Sequence, residues 1–269
     1  MEKPRILSDS DENREKVQSY FDDAERSLKH AEIPMTPRQK MITETVLNGL
    51  PKFLKNYGVE ASFPAARVLL MDSEKLTDEE RGQYQLAGFY SNVERIIRIF
   101  KENADSDIKL IMMLAHEMMH AASFQSYHVQ YETPHTELNE RRAGITMTVE
   151  DEGGEMSSYF NDLNEGVTER LAERFIASII ENTDSKIKIP TLEGDFQSLN
   201  RVKEKAMLDW LIDGIFERNP EQFKSKDEVF QLFVESMFKG TSLPLARIIE
   251  KTYGKGWFRL LGGMTKGQL

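Results

Sequence analysis

A long, mostly apolar segment runs from Ile108 to Ala122. Drawn as a helix, it has apolar residues on nearly every face, a pattern typical of a helix buried at the centre of a domain. Asp105, Ser106 and Asp107 precede it and supply the oxygens and the negative charge that favour a helix start. The pattern therefore predicts a central helix around which the rest of the chain is organised.

Upstream of this helix the pattern predicts two more helices and a small sheet. Apolar positions at near-helical spacing indicate a helix over Asp11–His30, and Thr36-Pro37 resembles the start of another that ends at residues 56–58. Short β-like runs follow, and the last two are spaced as a hairpin. The three runs are Arg67–Met71, Leu86–Tyr90 and Arg95–Phe100.

Downstream, residues 125–142 are polar and are predicted to be a connection. Alternating patterns over Gly144–Glu150 and Glu155–Phe160, joined at Gly153-Gly154, predict a second hairpin. A helix is predicted over Leu163–Ile176, and helical spacing resumes from Leu199. The apolar stripe of the Leu163 helix comprises Val167, Leu171, Phe175 and Ile179.

These elements predict an α+β fold that is mainly helical. We expect a small mixed or antiparallel sheet beside the central helix and a helical C-terminal part. Three segments are predicted: N-terminal helices over 1–60, a catalytic core over 61–185 and a helical subdomain over 186–269.

Composition narrows the function classes. A net charge of −10 argues against nucleic acid as a main partner, because phosphate binding requires a basic surface. The absence of cysteine excludes a disulfide framework and thiolate metal ligands. The N-terminus lacks the apolar core of a signal peptide, and no run is long enough to cross a bilayer, so we expect a cytoplasmic protein without a membrane segment.

The central helix contains the pattern H-E-x-x-H at His116, Glu117 and His120. Helical residues four apart differ by only about 40° around the axis, so the two imidazoles can share one metal ion. Glu117 lies beside that face, where its carboxylate can act as a general base on a metal-activated water. The alternative is a pair of core histidines hydrogen-bonded to the glutamate and the backbone.

A catalytic zinc needs a third protein ligand and keeps its fourth position for water. A third histidine in the H-E-x-x-H-x-x-G-x-x-H pattern is excluded, because Ser123 and Ser126 occupy the relevant positions. Glu165 is the best remaining candidate, and Glu169 follows it on the same face of the Leu163 helix. An acidic pair of this kind is often only a solvated helix face.

The H-E-x-x-H helix, followed by a helical Asn-Glu-Gly-x-x-Glu at 164–169, resembles the gluzincin superfamily of zinc metallopeptidases, which includes thermolysin-like enzymes. The resemblance covers roughly residues 86–180. It implies that Glu165 is the third zinc ligand and that Glu169 orients the first motif histidine. It also implies that a sheet edge pairs with extended substrate, for which Arg95–Phe100 is the candidate; the alternative is that this strand has ordinary neighbours within the sheet.

The sequence departs from the family pattern in two ways. The segment between His120 and Glu165 is longer, and no histidine follows His135, so the family's oxyanion-stabilising histidine has no equivalent. Tyr159 or Tyr253 could replace it, with two arginines, Arg141 and Arg142, behind them.

The leading prediction is a zinc metallopeptidase acting on a peptide or protein substrate, with Zn²⁺ as cofactor and Glu117 as general base. A second hypothesis is a zinc-bound module that binds peptide without hydrolysing it, and a third is a structural domain without metal. Substrate specificity depends on loops that the sequence does not locate.

Overall fold

The computed structural model describes most of the chain as two compact units. The described residues are 15, 28–60, 67–83, 88–92, 94–132, 135–150, 155–181 and 201–263. Unit one comprises the described residues of Met1–Lys55, Glu60–Ala122 and Arg174–Asp195. Unit two comprises those of Asn56–Val59, Ser123–Glu173 and Phe196–Leu269.

Among its described residues, unit one contains α1 (Pro37–Lys55), which opens as the sequence predicts, two further helices and residues 174–181 of a helix described below. The backbone amide of Gln39 donates to the Thr36 hydroxyl at 3.2 Å, and the Thr36 amide donates to the Gln39 side chain at 2.9 Å. These reciprocal hydrogen bonds form a capping box, which satisfies backbone donors that a helix start leaves open. The other two helices are α2 (Asp78–Gln83) and α3 (Asp107–Ala122).

The first sheet is mixed and has the strand order β1-β2-β4-β3. Strands β2 and β4 run parallel, and the remaining pairs are antiparallel. The strands are β1 (Glu32–Ile33), β2 (Arg67–Met71), β3 (Gly88–Ser91) and β4 (Ile96–Phe100).

The position of β4 corrects one prediction. The run Arg95–Phe100 was expected to offer a sheet edge to substrate, but β4 lies between β2 and β3 and every one of its residues is buried. Its apolar run is that of a central strand covered on both faces, and such a strand has no edge to offer. The edge beside it belongs to β3, which is only partly buried.

Helix α3 packs against α1, β3 and β4. Every residue from Leu110 to Met119 is buried, so α3 is the central helix that the apolar pattern predicts. Three short 3₁₀ turns, Lys29–Ala31, Ser73–Lys75 and Lys101–Asn103, complete the described elements of unit one.

Unit two contains the second sheet, an antiparallel meander of four strands. The predicted polar connection over residues 125–142 is wrong, because β5 and β6 pair there in a long hairpin. The segment resembles a loop because apolar residues are few in it, yet Tyr127, Val129 and Tyr131 alternate with polar residues at strand spacing. The strands are β5 (Gln125–Glu132), β6 (His135–Ala143), β7 (Thr146–Glu150) and β8 (Met156–Tyr159).

Helix α4 (Asn161–Glu181) follows the second sheet, and its predicted apolar stripe is buried along its whole length. Four further helices pack on one another at the C-terminal end of the chain. They are α5 (Val202–Arg218), α6 (Lys226–Lys239), α7 (Ser242–Tyr253) and α8 (Trp257–Gly263).

The predicted fold class is confirmed: the chain is α+β, mainly helical, with a mixed sheet beside α3 and a helical C-terminal part. The three-segment domain division stays a prediction. Most of the predicted helix over Asp11–His30 and the turn at Gly153-Gly154 lie outside the described residues. Among the described helices, none has the length and apolarity that a bilayer crossing requires.

Candidate metal centre

Helix α3 fixes the two motif histidines through its start and its packing. The Ser106 carbonyl accepts the first helical hydrogen bond from Leu110 at 3.1 Å, and the Ser106 hydroxyl lies 3.4 Å from the Lys109 amide. From this start, His116 and Glu117 fall in the buried part of the helix, with exposures of 4% and 6%. Buried polar side chains are costly unless they bind a partner.

His116 and His120 face each other as their spacing predicts. Their Nε2 atoms are 3.1 Å apart, and their ring centroids are 4.8 Å apart with an angle of 71° between the planes. An Nε2–H of one ring can donate to the other, a contact that differs from the hydrogen bonds to the glutamate and the backbone in the metal-free alternative. The same pair of nitrogens is also placed to bind one cation from a single side.

Glu165 lies in the second turn of α4 and belongs to the same cluster of possible ligands. One ligand atom from each of His116, His120 and Glu165 lies within 4.8 Å of the other two. The Glu165 side chain is 21% exposed, so it is mostly withdrawn from solvent. The three residues that the sequence singles out as ligands are therefore close together in the fold.

The donor set fits a zinc ion. Zn–N bonds of about 2.0–2.1 Å at tetrahedral angles separate two nitrogens by roughly 3.3 Å, close to the 3.1 Å of the two histidines. A Glu165 carboxylate oxygen is the third ligand atom of the cluster, and carboxylate oxygen is an accepted zinc ligand. Two imidazoles and a carboxylate leave a fourth position for water, as catalytic zinc sites require.

Glu169 is 2% exposed and lies one helical turn beyond Glu165. Neither glutamate is a solvated surface acid, so the interpretation of this pair as a solvated helix face is wrong. The expected role of Glu169 in orienting a histidine stays a prediction. Asn164, which precedes the ligand, has a structural role: its Oδ1 accepts a hydrogen bond from the Ile145 amide at 2.9 Å.

The two tyrosines proposed as oxyanion donors lie in different surroundings. Tyr159 is 38% exposed on β8, opposite Met147 of β7. The Tyr253 hydroxyl lies 3.3 Å and 3.4 Å from the carbonyl oxygens of Trp210 and Leu211, to which it can donate its proton. These contacts engage the hydroxyl with the α5 backbone. Burial also raises the pKa of Tyr253.

The two arginines placed behind these tyrosines are tied to the second sheet and its neighbours. Arg142 donates to the carbonyl oxygens of Gly144 and Gly240 and to the Ser242 hydroxyl, and Arg141 pairs with Glu150 at 2.8 Å. Burial lowers the pKa of Arg142. These contacts describe a structural role for Arg142.

Sequence reasoning missed the charged surroundings of Glu165. Arg201, at the start of α5, places its Nη2 3.2 Å from Glu165 Oε2. Burial raises the pKa of Asp162, which is also raised by the nearby Glu204 and Glu165 carboxylates and lowered by Arg201. No local sequence pattern could pair Arg201 with Glu165, because the two residues lie on different helices.

Comparison with protein-family models, curated proteins and solved structures finds no match for this chain. The resemblance to zinc metallopeptidases therefore rests on the two motifs and on the placement of their residues.

Proposed function

We propose that this chain is a gluzincin-like zinc metallopeptidase. The observation that carries the proposal is the proximity of His116, His120 and Glu165, whose ligand atoms all lie within 4.8 Å of one another. The sequence motifs select these residues before any coordinates are considered.

The metal's contribution is general chemistry. When bound, zinc lowers the pKa of a coordinated water to about 7 and polarises a carbonyl oxygen. The chain's own residues must then hold the ion, remove a proton from the attacking water and deliver it to the leaving amine.

Glu117 is suited to the proton transfers because of its place in α3. It follows His116 directly and is 6% exposed, so its carboxylate is largely shielded from bulk water. We assign it the role of general base toward the water and of general acid toward the departing amine nitrogen. It is not one of the three ligands.

Strand β3 is the corrected candidate for pairing with substrate. It lies at an edge of the first sheet and packs against α3. A Cβ atom added at Gly88 would lie 2.8 Å from Met113 Cε and 3.8 Å from Glu117 Cγ. Glycine thus lets β3 pack closely on Met113, one helical turn before Glu117, and an edge strand can align an extended peptide there.

The test is the Glu117→Gln variant, which keeps the side chain's size but removes its basic oxygen. We expect this variant to retain one zinc per chain and to lose hydrolysis by about 10²–10⁴-fold. Turnover is measured on a peptide library by mass spectrometry, with and without a zinc chelator. Glu79→Gln, an exposed change of the same kind, is the control and should leave turnover unaltered.

Undiminished hydrolysis by Glu117→Gln would contradict the assignment of the base. A native protein that binds zinc and peptide but cleaves nothing would support the alternative of a non-hydrolytic binding module. The engagement of the Tyr253 hydroxyl with the α5 backbone favours that alternative, because it leaves one fewer candidate for stabilising an oxyanion.

A further inference from the structure

The start of α5 is held against the part of α4 that carries Glu165. A Cβ atom added at Gly166 would lie 2.6 Å from the Glu204 carbonyl oxygen and 3.5 Å from Leu208 Cβ. Only glycine permits this separation, because real Cβ contacts are longer. The residue next to the third ligand therefore sets the approach of α5, and with it the position of Arg201.

Arg201 lies between two carboxylates at this approach. Its Nη2 is 3.2 Å from Glu165 Oε2, and its Nη1 is 3.5 Å from Glu204 Oε1. The three side chains are 34%, 21% and 18% exposed, so the charges are only partly screened by water. Asp162 adds a third carboxylate nearby, and Lys203 adds a second cation that acts on Asp162.

We propose that Arg201 is a positioning residue for the third metal ligand. Its guanidinium holds one oxygen of the Glu165 carboxylate and so directs the other oxygen to the cation. This inference rests on the proposed metal site, but it concerns metal affinity and not hydrolysis.

The physical reason is the freedom of a glutamate side chain. Three rotatable bonds allow an unrestrained carboxylate to occupy many positions, and binding a metal would require all but one of them to be given up. A contact to one oxygen restricts the side chain in advance. Partners of this kind typically change metal affinity or activity by about 10–100-fold when they are removed.

Arginine is suited to this task because its planar fork can contact two carboxylates at once. Here the fork lies between Glu165 and Glu204, and the close approach at Gly166 involves the Glu204 backbone. Without the guanidinium, the carboxylates of Asp162, Glu165 and Glu204 would repel one another, and the Glu165 side chain could turn away from the histidines.

The experiment compares the zinc affinity of the full-length native protein with that of three variants, by competition with a chromophoric chelator. Arg201→Met should weaken zinc binding by about 10–100-fold. Arg201→Lys keeps the charge but loses the fork, so it should fall between the native protein and Arg201→Met. Lys203→Met, an exposed change that removes the same charge two residues away, should stay within about threefold of the native value.

Two further readouts separate positioning from a general effect on folding. The visible spectrum of the Co²⁺-substituted protein should change in Arg201→Met and not in Lys203→Met, because it reports the geometry of the ligands. The melting temperature of metal-free Arg201→Met should lie within about 4 °C of the native value, since partly exposed ion pairs contribute little to stability.

Equal or tighter zinc binding by Arg201→Met would overturn the inference, and so would an equal loss in Lys203→Met. Either result would leave the metal site itself intact. Failure of the native protein to bind zinc would instead remove the proposed function, and with it the basis for this inference.

Discussion

Helices α3 and α4 carry the proposed ligands, but different interactions fix their side chains. Helix α3 is buried on all sides from Leu110 to Met119, so His116 is fixed by apolar packing. Helix α4 buries one apolar stripe and uses other positions for ion pairs with α5. Its charged contacts are Glu165–Arg201, Arg170–Asp209 and Glu173–Lys205.

The difference shows where a ligand can be adjusted. Packing in α3 holds an imidazole rigidly, because a close-packed interior leaves a side chain little room to move. Partly exposed ion pairs in α4 hold a carboxylate less tightly, since each contributes little free energy. We expect the histidines to set whether metal binds at all, and the contacts of Glu165 to set how tightly.

The largest effect is expected from His120→Ala. Removing one of three ligands should weaken zinc binding by at least about a thousandfold, beyond the 10–100-fold typical of residues that only support a ligand. Chelator competition measures the affinity. His128→Ala, at an exposed histidine of β5, is the matched control and should bind zinc like the native protein. Comparable losses of zinc affinity in both variants would contradict the assignment of His120 as a ligand.

The next effect concerns ion pairs and stability. Arg98 in β4 is fully buried and contacts Glu94 through both Nη atoms, at 2.6 Å and 2.8 Å. Arg98→Met leaves a carboxylate in a largely buried place, and we expect it to lower the free energy of unfolding by about 3 kcal/mol.

Lys205→Met is the comparison variant for this prediction. It breaks the partly exposed pair with Glu173, and the expected loss is about 1 kcal/mol or less. Urea denaturation of both metal-free variants measures the two values. A loss for Lys205→Met as large as that for Arg98→Met would contradict this prediction, because the ion pair between α4 and α5 would then stabilise the fold as much as the buried Arg98–Glu94 pair.

The smallest effect is a pH dependence at the start of α4. Burial raises the pKa of Asp162 above its ordinary value of 3.8, so the protonated form is favoured in the folded state. Its contribution to stability is therefore present at low pH and is lost as the pH rises through the raised pKa. Asp162→Asn should melt like the native protein below about pH 3.8 and slightly higher than it near neutrality.

Asp227→Asn is the control for this pH dependence. Asp227 is an exposed acidic residue in the first turn of α6, so it matches the position of Asp162 at a helix start without its burial. We expect no gain in melting temperature for Asp227→Asn as the pH rises. A gain of the same size in both variants would assign the effect to helix starts in general.

The sequence was sufficient where a local pattern carries the information. The apolar run of α3, the start of α1 at Thr36-Pro37 and the stripe of α4 all fold as their spacing predicts. In each case the apolar side chains follow helical spacing, and capping residues mark the starts of α1 and α3. The proximity of His116 and His120 follows from the same helical geometry.

The sequence was insufficient where pairing decides the structure. The β5–β6 hairpin is polar enough to resemble a loop, and strand order alone places β4 in the centre of its sheet. The contact between Arg201 and Glu165 depends on how two helices approach at Gly166. Such long-range features are set by tertiary packing, which local patterns do not record.

The most direct test of the metal site is a zinc-edge X-ray absorption spectrum of the zinc-loaded, full-length protein, together with its zinc content. The account predicts one zinc per chain, with two imidazole ligands at about 2.0–2.1 Å and oxygen in the remaining positions. Glu165→Ala should lose zinc and keep its fold. A native protein that takes up no zinc, or a zinc ion with fewer than two imidazole ligands, would contradict the account.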